Sequence, residues 1–135
     1  MSIDIITSYY AAFNRKDINA ILNLCTEDVI NDPNQGDSQS GKERLKDFLE
    51  NAWAHFDEQV SDIVLMMNSD QSRVASEYRV QGTYYKTKPG LFPANDQKYD
   101  ITCWAFFTIK QGKISRITRH YNTKQWLDIV NPTRA

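Results

Sequence analysis

A chain of 135 residues with 16 basic and 17 acidic side chains, net charge −1, has the length of one domain with a core and an internal cavity. No Lys/Arg cluster marks a nucleic-acid footprint, and no apolar run approaches membrane-spanning length, so neither partner is expected. Three Trp, seven Tyr and six Phe make a generous aromatic share, of the kind that fills a core or walls a small-molecule site.

The opening "MSIDIITSYY" has neither a basic region nor a long apolar stretch, so it reads as the start of a soluble, cytoplasmic chain and not as a signal peptide. Ser2 is placed to cap a first helix in which Ile5, Ile6, Tyr9, Tyr10 and Phe13 recur at helical spacing. Asp17 can cap a second, with Ile18, Ile21, Leu22 and Cys25 as its stripe. Cys25 and Cys103 each lie in an apolar run and read as buried free thiols. "DVINDPNQG", residues 28–36, has turn chemistry, because Pro favours an extended preceding residue and Gly permits positive φ. It leaves open whether Asp32 is a turn residue or a carboxylate presented to something. Ser40 and Glu43 then have capping-box spacing, opening a third helix with Leu45, Phe48, Leu49, Ala52, Trp53 and Phe56 along one side.

Beyond Glu58 the period changes. "VSDIVLMM" reads as a strand and "NSDQ" as a turn, and "RVASEYRVQGTYY" alternates with Val74, Ser76, Tyr78, Val80, Gly82 and Tyr84 on one face. A loop containing "KPGLFPAND" leads to the strand "KYDITCWAFFTI", the turn "KQGK" and the strand "ISRITRHYN". "TKQWLDIV" closes as a short helix or an edge segment. Three helices followed by four locally connected strands predict an α+β fold, with helices on one face of an antiparallel sheet. The strands are apolar on both faces, which predicts that the second face meets another subunit in a homodimer.

The segments "YYAAFNRKDINAILNLCTEDV", "NDPNQG" with "GKERLKDFL", "EYRVQGTYY" leading into "GLFPA", and "GKISRITRHYN" resemble the nuclear transport factor 2-like superfamily over nearly the whole of residues 1–135. Within it the chain is similar to ketosteroid isomerase and its relatives of unassigned function, with the SnoaL-like polyketide cyclases close by. The resemblance implies three N-terminal helices on a curved antiparallel sheet (also called cystatin-like), enclosing a cone-shaped pocket for a small apolar molecule. It implies no cofactor.

Ketosteroid isomerase uses a carboxylate base, a tyrosine donor and a protonated aspartic acid, the arrangement that serves as a standard example of tuned acid–base chemistry. By position the resemblance assigns the base to Asp32 in "NDP" and the tyrosine to Tyr9, and puts Trp104 where the second acid would stand. An indole N–H is also a neutral donor, so Tyr9 and Trp104 would form the oxyanion hole. Plain core is the competing role for Trp104. Tyr78 and Val80 facing inward, as the resemblance implies, would bring Ser76, Thr102, Trp104, Ile117, Arg119 and Tyr121 with them by strand parity. Tyr78, Val80, Trp53, Phe56, Arg119 and Tyr121 are accordingly the substrate-binding candidates. Arg119 facing an apolar cavity would need a partner, and Asp32 is the natural one. Such a pair would suit an anionic substrate, or water activation as in limonene epoxide hydrolase. Asn122 stands nearest the acidic residue of the cyclases and cannot take its role. His55 and His120 have no ligand spacing, so no metal site is expected. Three readings thus stand beside each other: a cofactor-independent isomerase acting on a small carbonyl compound, a ligand-binding domain without catalysis, and an epoxide hydrolase- or polyketide cyclase-like enzyme, whose hydrolytic form would set Asp32, Arg119 and a polar partner such as Asn122 around one water.

Overall fold

Helix α1 (Ser2–Arg15) turns Ile6, Tyr9, Tyr10 and Ala12 into the core, as its apolar spacing predicts. The computed structural model of the protein describes residues 2–131. Asp17 caps α2 (Ile18–Asn23) by accepting from the Ala20 amide. Cys25, expected on the α2 stripe, instead starts strand β1 (Cys25–Asp32), its thiol reaching back to the Ile21 carbonyl at 3.3 Å. A two-residue strand β2 (Gln39–Ser40) follows, so Ser40 does not cap α3 (Lys42–Trp53). Gly41 holds that position with φ 97°, a left-handed conformation open to glycine, and makes no side-chain cap. Phe56, expected on α3, opens β3 (Phe56–Met67) instead. There it stacks on Tyr84 at 4.9 Å.

Strands β4 (Arg73–Tyr84), β5 (Gln97–Lys110) and β6 (Lys113–His120) complete one six-stranded sheet in the order β2-β1-β6-β5-β4-β3. Six strands replace the four expected, because β1 runs into the turn-like stretch 28–36 and the two-residue β2 follows it. The pairing is antiparallel except between β1 and β6, which run parallel. A register shift between Ser61 and Val64, with Asp62 at φ 52°, bends β3 and curves the sheet. Helix α4 (Thr123–Val130), capped by Asn122 through the Gln125 amide, settles the closing segment as helix.

Two details place the interior. Asn14, near the end of α1, bonds both backbone groups of Val60 on edge strand β3, at 3.0 and 2.8 Å. This fixes α1 against the stretch of β3 that carries Glu58, and it blunts an otherwise open edge. At the other end, Trp126 of α4 packs edge-on against Tyr99 and Phe56, at 5.9 and 5.6 Å. The core between helices and sheet is lined by Tyr9, Tyr10, Tyr78 and Phe107 together with aliphatic residues of every long strand.

Candidate functional site

Strand parity decides which polar groups face the helices. On β1, Val29 and Asn31 are buried at 0 and 1% exposure, so Asn31 is the polar residue turned inward and Asp32 lies on the other side. Asp32 is in cross-strand register with Thr118 and accepts from Thr118 Oγ1 at 2.7 Å, from Arg116 Nε at 2.6 Å and from Ser38. Burial would raise its pKa, but the bonds from Arg116, Ser38 and Thr118 and the Arg116 charge outweigh it and lower the value to about 2. This is an ionised, outward ion pair. It corrects the expected pairing of Asp32 with Arg119, and it removes Asp32 from the neighbourhood of Tyr9.

Trp104 is corrected in the same way. On β5 the buried residues are Tyr99, Ile101, Cys103, Ala105 and Phe107, so Trp104 and Thr102 point outward. Trp104 is 39% exposed and donates its indole N–H to Glu77 at 3.1 Å. Thr102 bonds Arg79, which also pairs with Asp100. Tyr78 and Val80 do face inward, with the Tyr78 ring 5.2 Å from Tyr10. Trp53 stands edge-on to Phe13 at 5.3 Å, with the Lys16 ammonium over its ring at the same distance. Phe56 joins the aromatic group under α4. Tyr121 follows β6, half-buried, its amide held by Asn34 at 3.0 Å. Asn34 also bonds Thr123, so the "NDPNQG" loop serves to fix the start of α4.

Arg119 is the inward charge. One guanidinium nitrogen donates to Asn31 Oδ1, another to the Tyr9 hydroxyl at 2.9 Å, and the group lies 5.0 Å from the Phe48 ring centre. Across the interior, the Glu58 carboxylate accepts from the Tyr99 hydroxyl at 2.5 Å. Glu58, Gly82 and Tyr99 form one row across β3, β4 and β5. A Cβ on Gly82 would lie 2.2 Å from Tyr99 Cζ, so the ring crosses the bare glycine to reach Glu58. Burial raises the Glu58 pKa, against the lowering effects of the Tyr99 bond and of Lys16 and Arg119. Burial likewise raises Tyr78, which feels both Arg119 and Glu58, and Tyr121, which feels Glu58. Arg119 and Glu58 therefore both act on Tyr78, with Tyr9 and Tyr10 on the Arg119 side and Tyr99 and Tyr121 on the Glu58 side. Both lie deep among protein atoms, and both keep some solvent-accessible surface.

Glu58, Tyr99 and Asn31 were not singled out in the sequence. Glu58 fell on the boundary between a helical and a β period, although Phe56, Glu58 and Val60 already share one parity. Among the described residues no group of three His, Cys, Asp or Glu could hold a metal. Burial raises the Cys25 and Cys103 thiols to about 11 and about 12. Two grooves open to solvent both follow the outer face. One, of about 420 Å³, runs between Met66, Met67, Arg73, Phe106 and Arg116, and the other passes Asp57, Gln81, Lys98 and Asp100.

Residues 6–117 match the family model described as SnoaL-like domain. The chain belongs to this family. A candidate polyketide cyclase from Pseudomonas putida KT2440 is similar to this SnoaL-like domain at 44% identity, covering 96% of this chain and 98% of that one, with a TM-score of 0.93. Another, from Xanthomonas campestris pv. campestris, is 38% identical over 95% of both chains, with a TM-score of 0.92. An NTF2-like protein from Burkholderia pseudomallei K96243, at 13% identity and a TM-score of 0.81 over 96% of both chains, shares the fold. No curated protein matches. The four helices on a curved, unclosed sheet are the NTF2-like α+β fold. No helix among the described residues is long and apolar enough to cross a membrane.

Proposed function

We propose that this SnoaL-like domain binds a small carbonyl compound between α1, α3 and the inner face of the sheet, and moves a proton on it without a cofactor. One observation carries the reading. A carboxyl group and a guanidinium, Glu58 and Arg119, face the same phenol-lined interior from opposite sides. Burial that raises a carboxyl's pKa makes its ionised form a stronger base, so Glu58 takes a proton from the carbon next to the carbonyl. The Tyr9 hydroxyl accepts from Arg119, which leaves its own O–H free to donate to the developing enolate oxygen. The Tyr9 role is thus the one implied by the isomerase resemblance, while Glu58 takes the role given there to Asp32.

The candidate polyketide cyclases favour a cyclase outcome over a double-bond shift. Ring closure by attack of an enolate on a second carbonyl begins with the same proton removal, so both outcomes use one set of residues. Deuterium exchange at the α-carbon of bicyclic enones and β-diketones, followed by NMR in D2O, tests the reading with wild type and Glu58→Gln. Exchange by wild type that falls at least about 100-fold in Glu58→Gln is expected. Binding without exchange would move the chain to the non-catalytic reading.

The homodimer belongs with this proposal. Val64, Met66 and Phe106 are more than half exposed on the outer face, and Trp104 lies beside them. Such an apolar patch fits a second copy. A cytoplasmic location is the setting in which Cys25 and Cys103 stay reduced.

A further inference from the structure

Arg119 is an unfinished ion pair. A guanidinium has five N–H donors. Among the described residues its contacts are two hydrogen bonds, to Asn31 Oδ1 and to the Tyr9 hydroxyl, and the face of Phe48. All three partners are neutral. The described carboxylates that pair with basic groups use other residues: Asp32 takes Arg116, and Asp100 takes Arg79. Glu58, the carboxyl that shares the interior, is engaged by Tyr99 on the far side and stands outside ion-pair distance of Arg119. The interior therefore carries a positive charge that no contacting group neutralises, and a buried charge without a counter-ion is costly.

Geometry adds direction. Asn31 and Tyr9 hold the guanidinium at two of its nitrogens, and Phe48 covers one side of it. Donor protons remain, and the Tyr9 hydroxyl proton finds no acceptor among the described residues. Fixed N–H and O–H donors around one point make a preformed receptor for two oxygens sharing a negative charge. The surroundings are aromatic: Phe48 lies against the guanidinium, Phe13 stands 6.4 Å from the Tyr9 ring with Trp53 edge-on to it at 5.3 Å, and Tyr78 on the sheet feels the Arg119 charge.

We infer that the ligand of this interior is a monoanion on a flat apolar body, an aromatic or conjugated carboxylate or enolate, whose charged oxygens dock on Arg119 and Tyr9. The inference rests on the proposed small-molecule reading and names its substrate class. It does not depend on catalysis.

Matched probes test it. The binding of 2-naphthoate and of its methyl ester, equal in body and different in charge, is measured by calorimetry and tryptophan quenching. Wild type is expected to bind the carboxylate at least tenfold more tightly than the ester. Arg119→Gln is expected to bring the ratio to about one, mainly by loss of carboxylate affinity, while Arg119→Lys restores part of it. If Arg119→Gln does not fold, Tyr9→Phe serves instead and is expected to weaken the carboxylate several-fold and leave the ester unchanged. An arginine retained only for structure would produce no charge preference. Equal binding of the two probes by wild type, or a preference that survives Arg119→Gln, overturns the inference while the hollow and its proton chemistry stand. Binding of neither probe overturns the hollow and this inference together.

Discussion

Tyr99 of β5 meets Glu58 of β3 across the one strand between them, and it does so because Gly82 of that strand has no side chain. The register puts Glu58, Gly82 and Tyr99 in one row, and the ring occupies the space above the glycine to bond the carboxylate at 2.5 Å. A glycine in a strand interior weakens the strand, so its presence here has a reason in close approach.

Gly82→Ala is therefore expected to swing Tyr99 away from Glu58. Gly82 carries no left-handed φ, so the conflict is with the ring alone. Overpacking of this kind costs about 1–3 kcal/mol, read from the urea midpoint. The exchange rate should fall while thermal unfolding stays cooperative. An alanine variant of unchanged stability would show that the ring has room to move.

Glu58 predicts two opposite pH slopes. As the proposed base it would work in its charged form, so the exchange rate is expected to rise as pH passes its raised pKa. Stability runs the other way. Below about pH 4 the group is protonated in folded and unfolded chains alike, and its contribution is whole. As pH climbs above that value and through the raised folded pKa, the unfolded chain ionises more easily and stability declines. Glu58→Gln should abolish this decline in urea titrations taken at several pH values. Tyr99→Phe removes a donor that favours the charged carboxylate, so the rate limb should move to higher pH.

Asp32→Asn separates the outer ion pair from the interior. Its folded pKa of about 2 lies below the unfolded value near 4, so its stabilisation is present above about pH 4 and lost as pH falls toward 2. Arg116 is 48% exposed and Asp32 14%, so screening limits the effect to on the order of 1 kcal/mol. The asparagine variant should lose this acid-range slope and keep exchange activity. Loss of exchange would return Asp32 to the mechanism.

Phe106→Asp addresses the outer face. The side chain is 51% exposed beside Met66 and Trp104, and a carboxylate there should disfavour association of two copies. Light scattering at micromolar concentration is expected to give a dimer for wild type and a monomer for the variant. A wild-type monomer would remove the second subunit from the account.

Much of the architecture was legible because periodicity survives folding. The stripe of α1, the Asp17 cap and the alternation of β4 all appear where the residues place them. The site was harder to read, and the reason is parity. In "VIND" two polar residues are adjacent, and only pairing with Ile117 and Thr118 of β6 tells that Asn31 turns in and Asp32 out. In "KYDITCWAFF" the alternation Tyr99, Ile101, Cys103, Ala105, Phe107 does mark the inner face, and positional matching to a known catalytic acid overrode it at Trp104. Glu58 needed Gly82 and Tyr99 opposite it before it could be seen, and no local window holds all three.

The parallel contact between β1 and β6 has a consequence for how the molecule is made. β6 is inserted between β1 and β5, so β1 lacks its inner neighbour until nearly all of the described chain has been synthesised. Asn31 and Arg119, 88 residues apart, meet only at that late stage. The guanidinium cradle is thus among the last parts to assemble, and a nascent chain stalled before β6 would display a half-built sheet to chaperones.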